Sequence, residues 1–178
     1  MPFPFVIKPT DEGSSIGVCM IFNTDDLSEF SNNNSSLDDV FLVEKYIPGR
    51  EIHVVVLKGK AQNVTEIIFP GVFFDYEAKY NDERTKLITP AVLPENIFSK
   101  AMEYAEKIFR EIGCEGIIRC DFRYDDSQDE GSSIYFLEVN TIPQFDPGSI
   151  AALQPQMNGI SFSDLCSILV EDAIERKT

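Results

Sequence analysis

Apolar and polar positions alternate along two late stretches of the chain, and the alternation predicts two strands that each carry chemistry on one face. In residues 116–124, Ile118, Cys120 and Phe122 share one face, while Arg119, Asp121 and Arg123 share the other. In residues 134–140, Tyr135, Leu137 and Val139 face one way, and Ile134, Phe136, Glu138 and Asn140 the other. The polar run 125–133 between them reads as a hairpin loop, so the strands are expected to pair antiparallel. Two carboxylates (Asp121, Glu138) and an amide (Asn140) aimed at one side of a sheet are costly unless a cation sits among them. Mg²⁺ takes oxygen ligands and shares them with substrate phosphates. A plain hairpin with its polar face in water fits the same pattern, and the two strands alone leave both readings open. The acidic turn is no Ca²⁺ loop, because Leu137 stands where the closing Glu belongs.

The same reasoning predicts strands over residues 3–8, 18–22, 40–46, 51–58 and 61–69, punctuated by Pro48-Gly49 and Lys58-Gly59. A short helix is expected over 24–30, capped by Thr24 or Asp25. The strongest helix opens after Pro94, where Ile97, Phe98, Ala101, Met102, Ala105, Ile108, Phe109 and Ile112 recur at three- and four-residue spacing, and it ends at Gly113. Residues 73–84 read as a surface loop and 143–155 as irregular. Ser161-Phe162-Ser163-Asp164 opens a last amphipathic helix to about Arg176. There are no internal repeats. An early antiparallel sheet followed by a later α+β layer suggests two lobes, residues 1–70 and 71–178, with a cleft between them.

Composition narrows the function classes. The chain has 178 residues, a formal net charge of −15 and a pI near 4.3. That balance argues against a general nucleic-acid or anionic-membrane surface, and gives weight to each cation beside a motif. The four cysteines (Cys19, Cys114, Cys120, Cys166) have no CxxC spacing, and three lie in apolar runs, so a reducing, cytoplasmic setting is expected. No apolar run reaches membrane-spanning length, and Met1-Pro2-Phe3-Pro4-Phe5 lacks a signal-peptide pattern. The single histidine, His53, lies in an apolar strand and reads as a core or strand-face residue. Without a histidine partner for Ser or Cys, triad hydrolysis is disfavoured.

Two further segments carry chemistry. Lys8 ends a strand before the loop Glu12-Gly13-Ser14-Ser15-Ile16-Gly17, whose glycines and hydroxyls suit a phosphate, although no Gly-Lys-Ser/Thr closes it as a Walker A loop. Glu44-Lys45-Tyr46-Ile47 leaves a strand into Pro48-Gly49-Arg50-Glu51, offering backbone, a cation and an acid to an adenine edge and a ribose diol. A hairpin turn and a solvated strand end are the plain alternatives.

Taken in order, these pieces resemble the ATP-grasp superfamily, and more closely the D-alanine–D-alanine ligases. The resemblance rests on Lys8-Pro9-x-x-Glu12-Gly13-Ser14-Ser15-x-Gly17, Val43-Glu44-Lys45-Tyr46-Ile47-Pro48-Gly49-Arg50-Glu51, and Phe73-Phe74-Asp75-Tyr76-Glu77-Ala78-Lys79-Tyr80. It continues through Gly113-Cys114-x-Gly116-x-x-Arg119-x-Asp121 and Leu137-Glu138-x-Asn140-Thr141-x-Pro143. It implies an α+β ATP-grasp fold whose two lobes enclose a nucleotide, residues 1–70 as the nucleotide-binding lobe and 71–178 as the catalytic, metal-binding lobe. Lys8, Glu44, Lys45, Ile47, Glu51, Phe73 and Leu137 would line the adenine and ribose pocket. Lys8, Lys79 and the Gly13-Ser14-Ser15 loop would hold the phosphates.

Asp121, Glu138 and Asn140 would bind two Mg²⁺, or Mn²⁺ in their place. Arg119 would steady an acyl phosphate and the tetrahedral intermediate, a role whose loss typically costs about 3 kcal/mol. Tyr80 would hydrogen-bond Ser14 on a closing loop that excludes water. The activity implied is ATP-dependent condensation of two D-amino acids into a peptidoglycan dipeptide, and Tyr80 favours an amine as second nucleophile. A homodimer belongs to the same expectation.

Two departures accompany the resemblance. The family's N-terminal domain, which completes the first amino-acid site, is expected to have no counterpart in these 178 residues, so the chain is expected to need it in cis or in trans and not to ligate alone. The family's Pro-Gly-Met/Phe-Thr appears as Pro143-Gln144-Phe145-Asp146, which puts acceptor specificity in question, while Ser149 matches the serine for the second substrate's carboxylate. A carboxylate–amine ligase with another acceptor, or a non-catalytic nucleotide-binding fragment, are the competing expectations.

Overall fold

The computed structural model describes residues 1–13, 15–34, 40–71, 84–127 and 134–176. Contacts divide it into two units, Met1–Ile47 with Phe69–Lys86, and Pro48–Ile68 with Leu87–Thr178. The expected cut near residue 70 differs because two strands before it hydrogen-bond into the second unit's sheet.

In the first unit β1 (Phe5–Pro9) lies between β2 (Cys19–Ile21) and β3 (Phe41–Lys45), all antiparallel. Phe5, Ile7 and Ile21 form its small core, with Phe30 of helix α1 (Thr24–Asn33) and Phe41, edge to face with each other, packed against it. The cap of α1 is Asn23, one residue before the expected Thr24 or Asp25. Its side-chain oxygen accepts from the amides of Asp25 at 2.8 Å and Asp26 at 3.1 Å, satisfying donors that the helix cannot.

The second unit is a five-stranded antiparallel sheet. Its order is β6 (Lys86–Ile88), β5 (Lys60–Ile68), β4 (Arg50–Leu57), β7 (Ile117–Tyr124), β8 (Ile134–Asn140). Helix α2 (Glu95–Ile112) covers one face, burying Ile97, Ala101 and Ala105 against Ile52, Val54, Val56, Ile118, Cys120 and Phe122. It ends as its sequence predicts, with Gly113 at φ 73°.

The other face carries α3 (Ile150–Met157), in a stretch expected to be irregular. Pro155 lies inside α3, at a cost in backbone bonding, but Ala151, Ala152, Gln154 and Pro155 are all buried, and that burial sustains the helix. Helix α4 (Phe162–Glu175) closes the fold, with Ser161 capping the Asp164 amide at 3.1 Å.

Two irregularities in this sheet set up the polar face. Between β4 and β5 the register slips at Val55, which is left without a β5 partner. The fully buried Gln154 fills that gap. Its oxygen accepts from the Val55 amide at 2.7 Å, and its nitrogen donates to the His53 carbonyl at 2.9 Å and the Thr65 hydroxyl at 2.8 Å.

The second slip lies between β7 and β8, where Asp121 pairs with Glu138 but Phe122 pairs with Phe136. Leu137 is the extra residue. The expected alternation is therefore corrected: Phe136 stands with Phe122 (ring centroids 5.8 Å) and Ile134 packs on the core, while Tyr135 pairs with Arg123. Glu138 and Asn140 keep the face they were expected to hold.

Candidate functional site

Strand register places one polar row across three strands of the second unit. His53 of β4 pairs with Asp121 of β7, which pairs with Glu138 of β8; Glu51 pairs with Arg123, and Arg119 with Asn140. These residues share a face because each strand alternates and the bulge falls beyond Glu138. Like charges opposite one another destabilise a sheet, so the Asp121–Glu138 pair needs compensation.

Arg119 supplies it. Its Nε and Nη2 donate to the two oxygens of Asp121 at 2.7 and 2.8 Å, a bidentate pair. Asn140 Nδ2 donates to Asp121 at 3.0 Å and lies 3.5 Å from a Glu138 oxygen. Burial by itself would lower the Arg119 pKa, but its hydrogen bonds to Asp121 and the charges of Asp121, Glu138 and Glu51 outweigh it and raise the value above the ordinary one. Arg119 is thus a permanent, oriented cation beside two acids.

The donor set tests the cation reading. Two carboxylates and a carboxamide are hard oxygen donors of the kind Mg²⁺ takes. An Asn amide presents its oxygen or its nitrogen by a half turn of its last bond. Among the described residues, no three His, Cys, Asp or Glu side chains are gathered for a metal. The protein ligands here would be Asp121, Glu138 and Asn140, with phosphate and water completing the shell. The residues fit the ion in kind.

Sequence reasoning assigned no role to His53, Arg123 or Gln154 in this row. The signal was present in Glu51 and His53 two apart on one strand, and Arg119, Asp121 and Arg123 on another, but only register shows that the two polar faces coincide.

Glu51, expected at a ribose, is buried in the row. His53 Nε2 lies 3.2 Å from its Oε1 and Arg123 Nη1 lies 3.5 Å from its Oε2. Leu137 is the half-buried bulged residue of β8. Ser149 is buried at the start of α3, its hydroxyl donating to the Asp146 carbonyl at 2.8 Å. Gln144 and Asp146, the two departures from the family pattern, bond to each other. Gln144 Nε2 donates to Asp146 Oδ2 at 2.8 Å, and the Gly148 amide donates to Asp146 Oδ1 at 2.9 Å. The Asp146 charge is thereby held within its own turn.

In the first unit, Lys8 and Glu44 sit on one face of the β1–β3 pair with Nζ–Oε2 at 2.5 Å. Gly13 accepts from the Ile16 amide at 3.0 Å in a turn that carries Ser15 at φ 62°. Lys45 is exposed and Ile47 half-buried. The expected roles of Ser14, Phe73, Lys79 and Tyr80 fall outside the described residues. No helix among the described residues is long and apolar enough to cross a membrane.

Comparison with known proteins covers nearly the whole chain. The family model described as D-ala D-ala ligase C-terminus matches residues 1–171. The D-alanine–D-alanine ligase of Wolbachia pipientis wMel is 40% identical over 176 residues, 98% of this chain and 55% of that protein. The D-alanine–D-alanine ligase of Bacillus anthracis, solved in complex with ATP, is 28% identical with a TM-score of 0.77, covering 97% of this chain and 54% of that one. The VanG D-Ala:D-Ser ligase from Enterococcus faecalis is 31% identical with a TM-score of 0.80, covering 95% and 49%. The chain spans about half the length of the curated relatives it matches.

Proposed function

The chain belongs to the D-alanine–D-alanine ligase C-terminal family and has its ATP-grasp fold, and on that premise we propose that it is the ATP-binding and catalytic portion of an ATP-dependent ligase that joins two D-alanines. The observation that carries the reading is the Arg119–Asp121–Glu138–Asn140 cluster, a half-buried, oriented cation beside two acids on paired strands.

A carboxylate and an amine do not condense in water unless the carboxylate is first activated. Phosphoryl transfer from ATP to the first D-amino acid makes an acyl phosphate, and the free amine of the second attacks it, expelling phosphate. Mg²⁺, when bound, would offset the negative charge of the phosphates. Asp121, Glu138 and Asn140 are its proposed ligands, and Arg119 offers fixed donors to the oxyanions of both steps. Lys8, Lys79 and the Gly13-Ser14-Ser15 loop are assigned to the phosphates, and Glu44, Lys45, Ile47, Glu51, Phe73 and Leu137 to adenine and ribose. Tyr80 with Ser14 is assigned to water exclusion over the acyl phosphate, and Ser149 and Gln144 to the second substrate.

Calorimetric titration of ATP into the chain, with Mg²⁺ and then with excess chelator, tests the core of this. Glu138→Gln is expected to abolish the Mg²⁺-dependent part of the binding; unchanged affinity would remove the metal assignment.

The Gln144–Asp146 bond favours a second reading, a ligase of the same chemistry with a different acceptor, since both residues stand where the acceptor is expected. ADP release over a panel of D-amino acids, with the remainder of a family enzyme supplied in trans, separates the two. Turnover with D-alanine as sole acceptor supports the first reading; turnover with another acceptor only supports the second.

A further inference from the structure

The polar row contains two side chains that the proposed chemistry leaves unused, His53 and Arg123, exposed by only 2% and 7%. Burying such groups is unfavourable unless their partners repay it. Their acidic partners are Glu51, assigned to the ribose, and, for His53, also Asp121 of the cation site. The His53 ring stands between them, Nε2 at 3.2 Å from Glu51 Oε1 and Nδ1 at 3.5 Å from Asp121 Oδ1. Arg123 reaches the other Glu51 oxygen at 3.5 Å and anchors itself on the Gly49 carbonyl at 2.7 Å. The Gly49 turn is fixed in turn, because its φ is 95° and a Cβ there would lie 2.1 Å from the Tyr124 carbonyl oxygen. The His53 backbone is fixed from the far side by Gln154.

We infer that His53 is a positioning residue which, with Arg123, holds Glu51 toward the nucleotide's ribose and ties it to Asp121 of the cation site. The inference rests on the nucleotide reading above and deepens it. Each carboxylate oxygen has two lone pairs, so Glu51 retains acceptor capacity for a ribose hydroxyl while both oxygens are held. Held this way, the acid is set before ligand arrives, and less side-chain freedom is lost on binding. The approach to Asp121 extends the order to the metal side: His53 Nδ1 lies 3.5 Å from Asp121 Oδ1, the oxygen that accepts from Arg119 Nε at 2.7 Å. One continuous run of polar contacts thus passes from the Gly49 turn to Asn140.

The test compares ATP with 2′,3′-dideoxy-ATP, which lacks the hydroxyls Glu51 would meet. Both are titrated calorimetrically, with Mg²⁺, into the full chain and its variants. The unsubstituted chain should prefer ATP. His53→Ala should cut that preference by about fivefold to tenfold, with the dideoxy affinity moving by less than about twofold. His53→Gln keeps an amide donor toward Glu51 and should restore part of it.

Because the ring also meets Asp121, His53→Ala should raise the Mg²⁺ concentration needed for half-maximal binding, whereas Arg123→Met should not. A folded His53→Ala chain with an unchanged preference overturns the inference and leaves the nucleotide site standing. Absence of any Mg-nucleotide binding by the unsubstituted chain overturns both. If His53→Ala loses its near-ultraviolet dichroism, Arg123→Met carries the test through the other Glu51 oxygen, and a preference that does not fall overturns the inference.

Discussion

Gln154→Leu tests whether Val55, at the β4–β5 register slip, is held as described. Leucine nearly matches glutamine in volume, so the substitution removes hydrogen bonds without opening a large cavity. Three bonds go, to the Val55 amide at 2.7 Å, the His53 carbonyl at 2.9 Å and the Thr65 hydroxyl at 2.8 Å. Their losses are unequal. The register slip sets Gln62 and Asn63 of β5 together against Val55 with no paired partner for it, so without Gln154 its buried N–H is orphaned, at about 1–3 kcal/mol. The Thr65 hydroxyl keeps its 2.7 Å contact with Thr89, so its share is small. With a modest share from the His53 carbonyl, the expected destabilisation is about 2–4 kcal/mol.

Amide hydrogen exchange of the full chain reads this directly. The Val55 amide and its sheet neighbours should exchange roughly 30-fold to 1,000-fold faster in the variant, the same free energy expressed as an equilibrium. Urea unfolding should show a matching fall in midpoint. A loss below about 1 kcal/mol, with Val55 protection kept, would refute the account, since it would mean that the bulge satisfies its amide without Gln154.

Two other predictions follow from single positions. Gly49→Ala should cost at least about 1–3 kcal/mol in urea unfolding, because it combines left-handed strain with a clash against the Tyr124 backbone; a neutral result would show that this turn relaxes freely. Burial pushes the Cys120 thiol up from an ordinary value of 9.0 to about 12, helped by the nearby Asp121 charge. The folded state therefore holds its proton more tightly than the unfolded chain, and this contribution to stability is complete below pH 9 and lost as pH rises toward about 12. Urea unfolding across that range should weaken more steeply for the native chain than for Cys120→Ala; parallel pH profiles would contradict it.

The strands and main helices could be read from the chain because their causes are local. The α2 periodicity, Gly113 as its stop and the alternation in β7 depend on residues a few positions apart, and the structure places them accordingly. The antiparallel pairing of β7 with β8 was equally legible, since a short polar loop brings consecutive strands together. What could not be read were events that depend on a distant partner.

Leu137 carries no mark of a bulge; it becomes the extra residue only because Phe136 finds Phe122 across the strand gap. The stretch containing Pro147, Gly148 and Pro155 looks unfit for helix, and α3 forms there because burial against the sheet outweighs local propensity. His53 looked like a core residue, and in burial it is one. Its place between Glu51 and Asp121 follows from the order β5-β4-β7-β8, which joins residues nearly seventy positions apart. Local patterns set which side of its own strand a side chain takes. Long-range hydrogen bonding sets which other strand's side chains it meets, and a chemical site is built from those meetings.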